Sequence, residues 1–335
     1  MNTWKGKHGP ILIAEIGGNH EGDFDYALRL TDLAIQADVD FVKFQMYSGD
    51  SLVSREESPT RNAHFKKFEL SQDQYIELAK RCEMNNVKFM ASVWNPEYFK
   101  WIDAHQSVYK IGSGDLTAYP VLKATAALNK PMIISTGLSL EAEVLDAIAY
   151  IQSCNPLYKD SNHLSVLQCT SMYPIPMEDA NLFVMQRLHQ LTGLPVGYSD
   201  HTEGSKALEI AFAMGAQILE FHFTDSREGK EFRDHKVSLT RDEVVQLIHD
   251  IKVISSLQGS TVKEPLPIEG DHVTTFRRAV YPVTDLKRGT VIKETHLITL
   301  RPNHGIDARN FHTLIGKSLK QDVRAHQKLD VDMFE

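Results

Sequence analysis

Apolar residues recur along the chain in two alternating rhythms, and the alternation predicts a fold. Short runs rich in Ile, Val, Leu and Phe read as strands over 11–16, 41–46, 88–93, 108–112, 132–135, 164–169, 196–198 and 218–223. Between them, apolar residues fall at three- and four-residue spacing, as in Ala27, Leu28, Leu30, Leu33 and Ala34. That spacing predicts helices over 24–37, from Ser71 onward, and over 96–105, 119–128, 140–152, 181–191, 206–214 and 240–257. Ser71, with Asp73 in the following turn, reads as an N-cap, and Thr240 with Glu243 as a capping box. Eight strands alternating with eight helices in about 250 residues is the order of a (β/α)8 TIM barrel. A doubly wound sheet uses the same ingredients, but no G-x-G-x-x-G follows the first strand. One long polar stretch, 47–70, interrupts the rhythm and is expected to be a functional or mobile loop.

After the last helix the pattern changes. Pro265 and Pro267 mark a linker over 258–275, so the barrel is expected over 1–257. The remainder, 276–335, has short β-type units at 279–283, 291–292, 297–300 and 327–331, with a turn at Lys287-Arg288-Gly289. It reads as a small β-rich module with short helices.

Composition narrows the classes. The 335-residue chain carries a formal charge of -8, which gives no basic footprint for nucleic acid. No apolar run approaches the roughly 20 residues that span a bilayer, and the first ten residues lack the apolar core of a signal peptide. Three distant cysteines, with no CxxC, suit a reducing cytoplasm better than a disulfide scaffold or a zinc–thiolate site.

In a TIM barrel the chemistry sits at the carboxyl ends of the strands. Those ends carry Glu15; Lys43 and Gln45; Ser92; Lys110, Ser113 and Asp115; Ser135; Thr170, Ser171 and Tyr173; Ser199 and His201; and Glu220 and His222, with Asp234 just beyond. His201 and His222 close consecutive β/α units, so both imidazoles are expected on one face, where they can share a metal ion. Lys43 and Lys110 stand inside apolar strands. Each is either a buried cation paired with a carboxylate such as Glu15 or a ligand for an anion. Gly112, Gly114 and Gly137 beside serines favour an anion pocket, because glycine lets backbone N–H groups approach closely.

In order, A-E-I-G-G-N-H (14–20), V-K-F-Q (42–45), K-I-G-S-G-D (110–115), I-S-T-G (134–137), C-T-S-M-Y-P (169–174), G-Y-S-D-H-T (197–202) and E-F-H-F-T (220–224) resemble the sialic acid (nonulosonate) synthases. The resemblance implies a TIM barrel followed by an antifreeze-like (SAF) domain. It implies a transferase that condenses phosphoenolpyruvate with an N-acetylated hexosamine, such as N-acetylmannosamine, to a nine-carbon 2-keto acid and phosphate. It further implies that His201 and His222 bind Mn²⁺ or Mg²⁺. Lys43, Ser92, Lys110, Ser113, Ser135 and Ser199 would hold phosphoenolpyruvate. Glu15, Asp115, Tyr173 and Asp234 would face the sugar or the reacting carbons, with Asp115 a candidate for proton transfer; Gln45 and Ser171 complete the substrate-binding set. Arg301, in L-R-P-N-H-G, matches an arginine that a domain-swapped homodimer inserts over its partner's site.

This chain departs from the family pattern at Asp115, where Glu is usual, at Ser171, where the neuraminate synthases tend to have Asn, and at Asn303, where Gly is usual. All three concern the sugar. Two rivals remain open at this level: a pyruvate-dependent class I aldolase with Lys43 or Lys110 as Schiff base, and a non-enzymatic carbohydrate-binding protein.

Overall fold

In a computed structural model that describes residues 3–335, the chain divides into two compact units that meet between Gly259 and Ser260. The first unit holds eight parallel strands: β1 (Ile11–Gly17), β2 (Phe41–Met46), β3 (Lys88–Val93), β4 (Tyr109–Ile111), β5 (Met132–Ser135), β6 (Leu164–Cys169), β7 (Val196–Asp200) and β8 (Ile218–His222). The ladder order is β3-β2-β1-β8-β7-β6-β5-β4, and β3 and β4 lie side by side at the seam of a nearly closed TIM-like barrel. Helices follow the strands as the apolar spacing predicts, including Phe24–Gln36, Gln72–Met84, Glu141–Cys154 and Arg241–Gln258. Ser71 caps its helix, accepting the backbone N–H of Gln74.

Side chains of a strand alternate between two faces. One face carries Leu12, Ala14, Ile16, Val42, Phe44, Ala91, Ile134, Val166, Leu219 and Phe221, which pack beneath the helices in the main core. The other face points into the barrel. Its amino-terminal layers are apolar: Ile11, Ile13, Phe41, Met90, Val108, Ile133, Leu167 and Ile218 form a separate cluster that plugs the interior. Continuing the same alternation toward the carboxyl ends brings Glu15, Lys43, Lys110, Ser135, Ser199, Glu220 and His222 to the same interior, all buried. The strand pairing keeps them adjacent, with Glu15 opposite both Lys43 and His222, and Ser199 opposite Glu220.

The 47–70 stretch, expected to be a loop, contains two short helices, Gly49–Leu52 and Pro59–Lys67. Its polar sequence hid them, because a helix with almost no apolar stripe leaves no periodic signal. Buried Asn62 holds the pair together, donating to Gly49 O (3.0 Å), Asp50 Oδ1 (3.2 Å) and Val53 O (2.7 Å).

The second unit is less β-rich than its sequence suggests. One antiparallel pair, Ala279–Pro282 with Leu297–Leu300, is its only ladder among the described residues. The 291–292 unit contributes a single bridge, Val291 to Ser318, and 327–331 forms no ladder, running into a 3-10 turn at Val331–Met333. Its own core gathers Val280, Leu286, Ile292, Leu297, Ile306, Leu314, Leu319, Val323, Leu329 and Phe334. The 258–275 stretch carries a 3-10 turn, Pro267–Glu269, and a short helix, His272–Thr275. No helix among the described residues is long and apolar enough to cross a membrane.

Candidate active site

The carboxyl ends of the strands form two linked groups of polar side chains. At the base, Lys43 Nζ lies 2.7 Å from Glu15 Oε2 and 3.7 Å from Glu220 Oε1, while Lys110 Nζ lies 3.5 Å from Glu220 Oε2. Gln45 Nε2 donates to Glu15 Oε1 (2.7 Å), and Ser199 Oγ donates to Glu220 Oε1 (3.3 Å). The lysines are therefore buried cations paired with carboxylates, and they line the interior at the strand ends.

Electrostatics separates the two. Burial works against the Lys43 ammonium, but Glu15 and Glu220 outweigh it and hold its pKa above the usual lysine value. Burial also dominates at Lys110, where Glu220 offsets it only in part, so that pKa falls. Burial would lift Glu220, yet the ammonium groups of Lys110 and Lys43 bring it below the ordinary carboxylate range. Glu15 goes the other way, raised by burial against the pull of Lys43. A proton is thus most easily gained at Glu15 and most easily lost at Lys110. Glu220, which bridges both lysines and Ser199, is placed at its strand end by the sequence but given no role there. Strand parity marks it, since Ile218, Glu220 and His222 share one face.

Above this base, the imidazoles of His201 and His222 lie with ring centroids 5.3 Å apart. Tyr173 packs on both, 4.0 Å from His201 and edge-on at 5.4 Å from His222. His201 Nδ1 lies 2.7 Å from the Thr170 carbonyl, to which it donates; burial works against the His201 imidazolium, but Cys169 and that carbonyl outweigh it and raise its pKa. His222 is buried, and its Nδ1 has no hydrogen-bond partner; Asp234 Oδ2 stands 3.8 Å away. Burial first, then the positive field of His201, drives the His222 pKa well down, so it is a neutral imidazole. Asp234 is buried, with Oδ1 in no hydrogen bond, and burial pushes its pKa up to about 6 against the neighbouring Arg233. Arg233 also stacks over Tyr173, 4.7 Å from the ring centre.

Beside the imidazoles lies a small cradle. Gly137 N–H donates to Ser113 Oγ (3.0 Å). A Cβ at Gly137 would stand 2.2 Å from Ser171 Oγ and 2.9 Å from Ser113 Oγ, so only glycine lets these hydroxyls close on that backbone. Ser171 Oγ is 4.0 Å from Cys169 Sγ, which in turn is 3.8 Å from His201 Nδ1. Ser135 Oγ and Ser92 are buried nearby on their strands, and Ser135 Oγ has no protein partner. Asp115 ends the 3-10 turn Ser113–Asp115; burial raises its pKa to about 6, against a smaller opposing pull from Lys110. Arg301 stays with the second unit, exposed, its guanidinium 5.4 Å over the Phe276 ring.

Fold and site together define an enzyme of the TIM-barrel class, with cations, hydroxyls and an imidazole pair gathered at the strand ends. The comparisons make this specific. Residues 30–263 match the NeuB family and residues 277–335 the SAF domain. The N,N'-diacetyllegionaminic acid synthase of Campylobacter jejuni is 32% identical, over 92% of this chain and 95% of its own. The human N-acetylneuraminate-9-phosphate synthase is 30% identical, over 94% and 89%. The sialic acid synthetase structure from Leptospira borgpetersenii superposes with a TM-score of 0.71 at 28% identity, covering 79% of this chain and 90% of its own. The chain belongs to the NeuB family and carries a C-terminal SAF domain.

Proposed function

We propose that this enzyme condenses phosphoenolpyruvate with the open-chain aldehyde of an N-acetylated hexose, giving a nine-carbon 2-keto acid and inorganic phosphate. The observation that carries the reading is the convergence of Lys43, Lys110 and the Gly137–Ser113–Ser171 cradle on one barrel mouth with the His201–His222 pair. Relatives named as synthases of legionaminic, neuraminic and pseudaminic acids support the product class.

Lys110 and the hydroxyls of Ser113, Ser135 and Ser199 hold the phosphate and carboxylate of phosphoenolpyruvate, with Ser92 beside them. Lys43 is kept charged by Glu15 and Glu220 and orients the same ligand. C3 of phosphoenolpyruvate forms the new bond to the aldehyde carbon with the electron pair of its C2–C3 double bond, leaving C2 electron-deficient, and the aldehyde oxygen takes a proton from water. Water adds at C2, its proton passing to Asp115, whose raised pKa suits transfer near neutrality. The hemiketal phosphate then collapses: the C2 hydroxyl forms the ketone and gives its proton to the departing phosphate, which leaves with the electron pair of the broken C–O bond. Gln45, Tyr173 and Asp234 line the sugar's side of the mouth, and Arg301 of the partner subunit closes it in a domain-swapped homodimer.

The residues present fit a divalent ion such as Mn²⁺ or Mg²⁺. His222 is neutral, buried and unpartnered at Nδ1, and His201, its Nδ1 engaged by the Thr170 carbonyl, would offer Nε2 to the ion on giving up its proton. When bound, the ion would supply Lewis-acid polarisation of a carbonyl. Among the described residues no group of three or more His, Cys, Asp or Glu is arranged to hold a metal, so oxygen donors from water or substrate would complete the shell.

A phosphate-release assay with phosphoenolpyruvate against N-acetylmannosamine and diacetamido hexoses tests the reading. Release is expected only with an N-acylated hexose and a divalent ion, and is expected to be lost in His222→Ala with the fold retained. The lowered pKa of Lys110 is what an aldolase would need. A borohydride-trapped pyruvate adduct on Lys110 would replace the condensation reading with that one.

A further inference from the structure

One buried donor at the barrel mouth has no acceptor within the protein. Trp94 Nε1 is inaccessible to solvent and makes no hydrogen bond. Trp94 lies two residues beyond Ser92, and its backbone N–H donates to Met46 O (3.0 Å), so the ladder with β2 still runs there. Tyr47 lies two residues beyond Gln45, and Gly112 two beyond Lys110. By strand alternation all three continue the inward face, one layer above the polar base. The Tyr47 and Trp94 rings stack, 5.2 Å apart at 23°, and Phe65 meets Tyr47 edge-on at 5.2 Å. At Gly112 there is no side chain, and the single atom within 4 Å of where a Cβ would stand is Trp94 Nε1, at 3.9 Å. The indole N–H therefore borders a gap above Gly112, immediately before Ser113 and Asp115.

An indole nitrogen donates and cannot accept. A buried donor without a partner costs free energy unless a ligand supplies the acceptor. The aromatic wall beside it favours an apolar group next to that acceptor. An N-acyl group offers both within a few bonds, an amide oxygen and a methyl. We propose that Trp94 is a specificity-determining residue whose indole N–H donates to the acyl oxygen of the sugar, with the Tyr47–Trp94 stack against the acyl methyl. This rests on the condensation reading above. A hexose with a hydroxyl in place of the acylamino group loses the strong acceptor and the apolar contact together. A site built around such a bond discriminates sharply against analogues that lack it.

The full-length chain with Mg²⁺ and saturating phosphoenolpyruvate is compared on N-acetylmannosamine, a 2,4-diacetamido hexose and mannose. Trp94→Phe keeps the ring and removes the N–H. It is expected to lower the kcat/KM preference for the better N-acylated hexose over mannose about tenfold, the size of one hydrogen bond, with the KM for phosphoenolpyruvate unchanged. Gly112→Ala, whose added Cβ meets Trp94 Nε1 only at van der Waals distance, should fold normally and narrow the preference in the same direction by filling the gap. An unchanged preference, or a rise in the phosphoenolpyruvate KM instead, overturns the assignment. Nitrogen-15 NMR of the indole groups reads binding without turnover. The resonance absent in Trp94→Phe should move on adding an N-acylated hexose and stay on adding mannose. If the wild type releases no phosphate with any hexose, the condensation reading falls. If the resonance fails to move with either N-acylated hexose, the Trp94 assignment falls.

Discussion

Glu220 shows how one residue organises the base of the site. It faces Lys43, Lys110 and Ser199 together, inside a barrel whose lower layers are apolar. Removing one partner of a buried ionic group leaves the others uncompensated, at roughly 3–5 kcal/mol. Glu220→Ala is therefore expected to lower the midpoint of denaturant unfolding markedly. Glu220→Gln keeps the shape and an acceptor but not the charge, so it should cost nearly as much; a Gln variant that unfolds like the wild type would mean that charge is not what Glu220 contributes. Asp115 gives a second test. Its pKa is raised to about 6 by burial, so below that pH it is protonated and unable to take a proton from water. The value of kcat/KM, which reports the free enzyme, is expected to rise as pH climbs through about 6, and Asp115→Asn should flatten that limb. A variant that keeps the limb would assign it to another group.

At the scale of elements, the turns after the strands shape the mouth. The β5 end delivers Gly137 into contact with hydroxyls from the turns after β4 and β6. Gly137→Ala puts a methyl where Ser171 Oγ and Ser113 Oγ now sit. The expected outcome is a KM for phosphoenolpyruvate raised on the order of tenfold, the loss of one good hydrogen bond, with little change in the far-ultraviolet circular dichroism spectrum. An unchanged KM would remove the cradle from the anion site. The two helices between β2 and β3 act at the same scale, because they bring Phe65 against Tyr47.

For the whole molecule, the unit ending at Gly259 and the unit beginning at Ser260 each have a core of their own. The proposed sharing of sites between subunits rests on the family resemblance around Arg301, which lies in the second unit. Mixing is the direct test. Arg301→Ala and His222→Ala chains, each expected to be inactive alone, are unfolded, mixed in equal amounts and refolded. If Arg301 serves the partner, half of the dimers are mixed and one of their two sites is intact, restoring about a quarter of wild-type activity. If Arg301 serves its own barrel, the intact Arg301 of the His222→Ala chain faces a dead site and no activity returns.

The sequence by itself determined the barrel and which polar residues stand at its strand ends. Strand runs, helix spacing and strand-end motifs are local signals, and period-two alternation places Glu15, Lys43, Lys110 and His222 on one face without reference to any other strand. The tertiary structure alone decided what these residues meet. Registers between strands far apart in sequence set Lys43 against Glu15 and Glu220, and His201 beside His222. The polar helices Gly49–Leu52 and Pro59–Lys67 left no apolar period, since Asn62 and backbone caps hold them instead. The unsatisfied N–H of Trp94 was equally invisible along the chain. An indole is marked as a waiting donor only by what the folded neighbours fail to offer it.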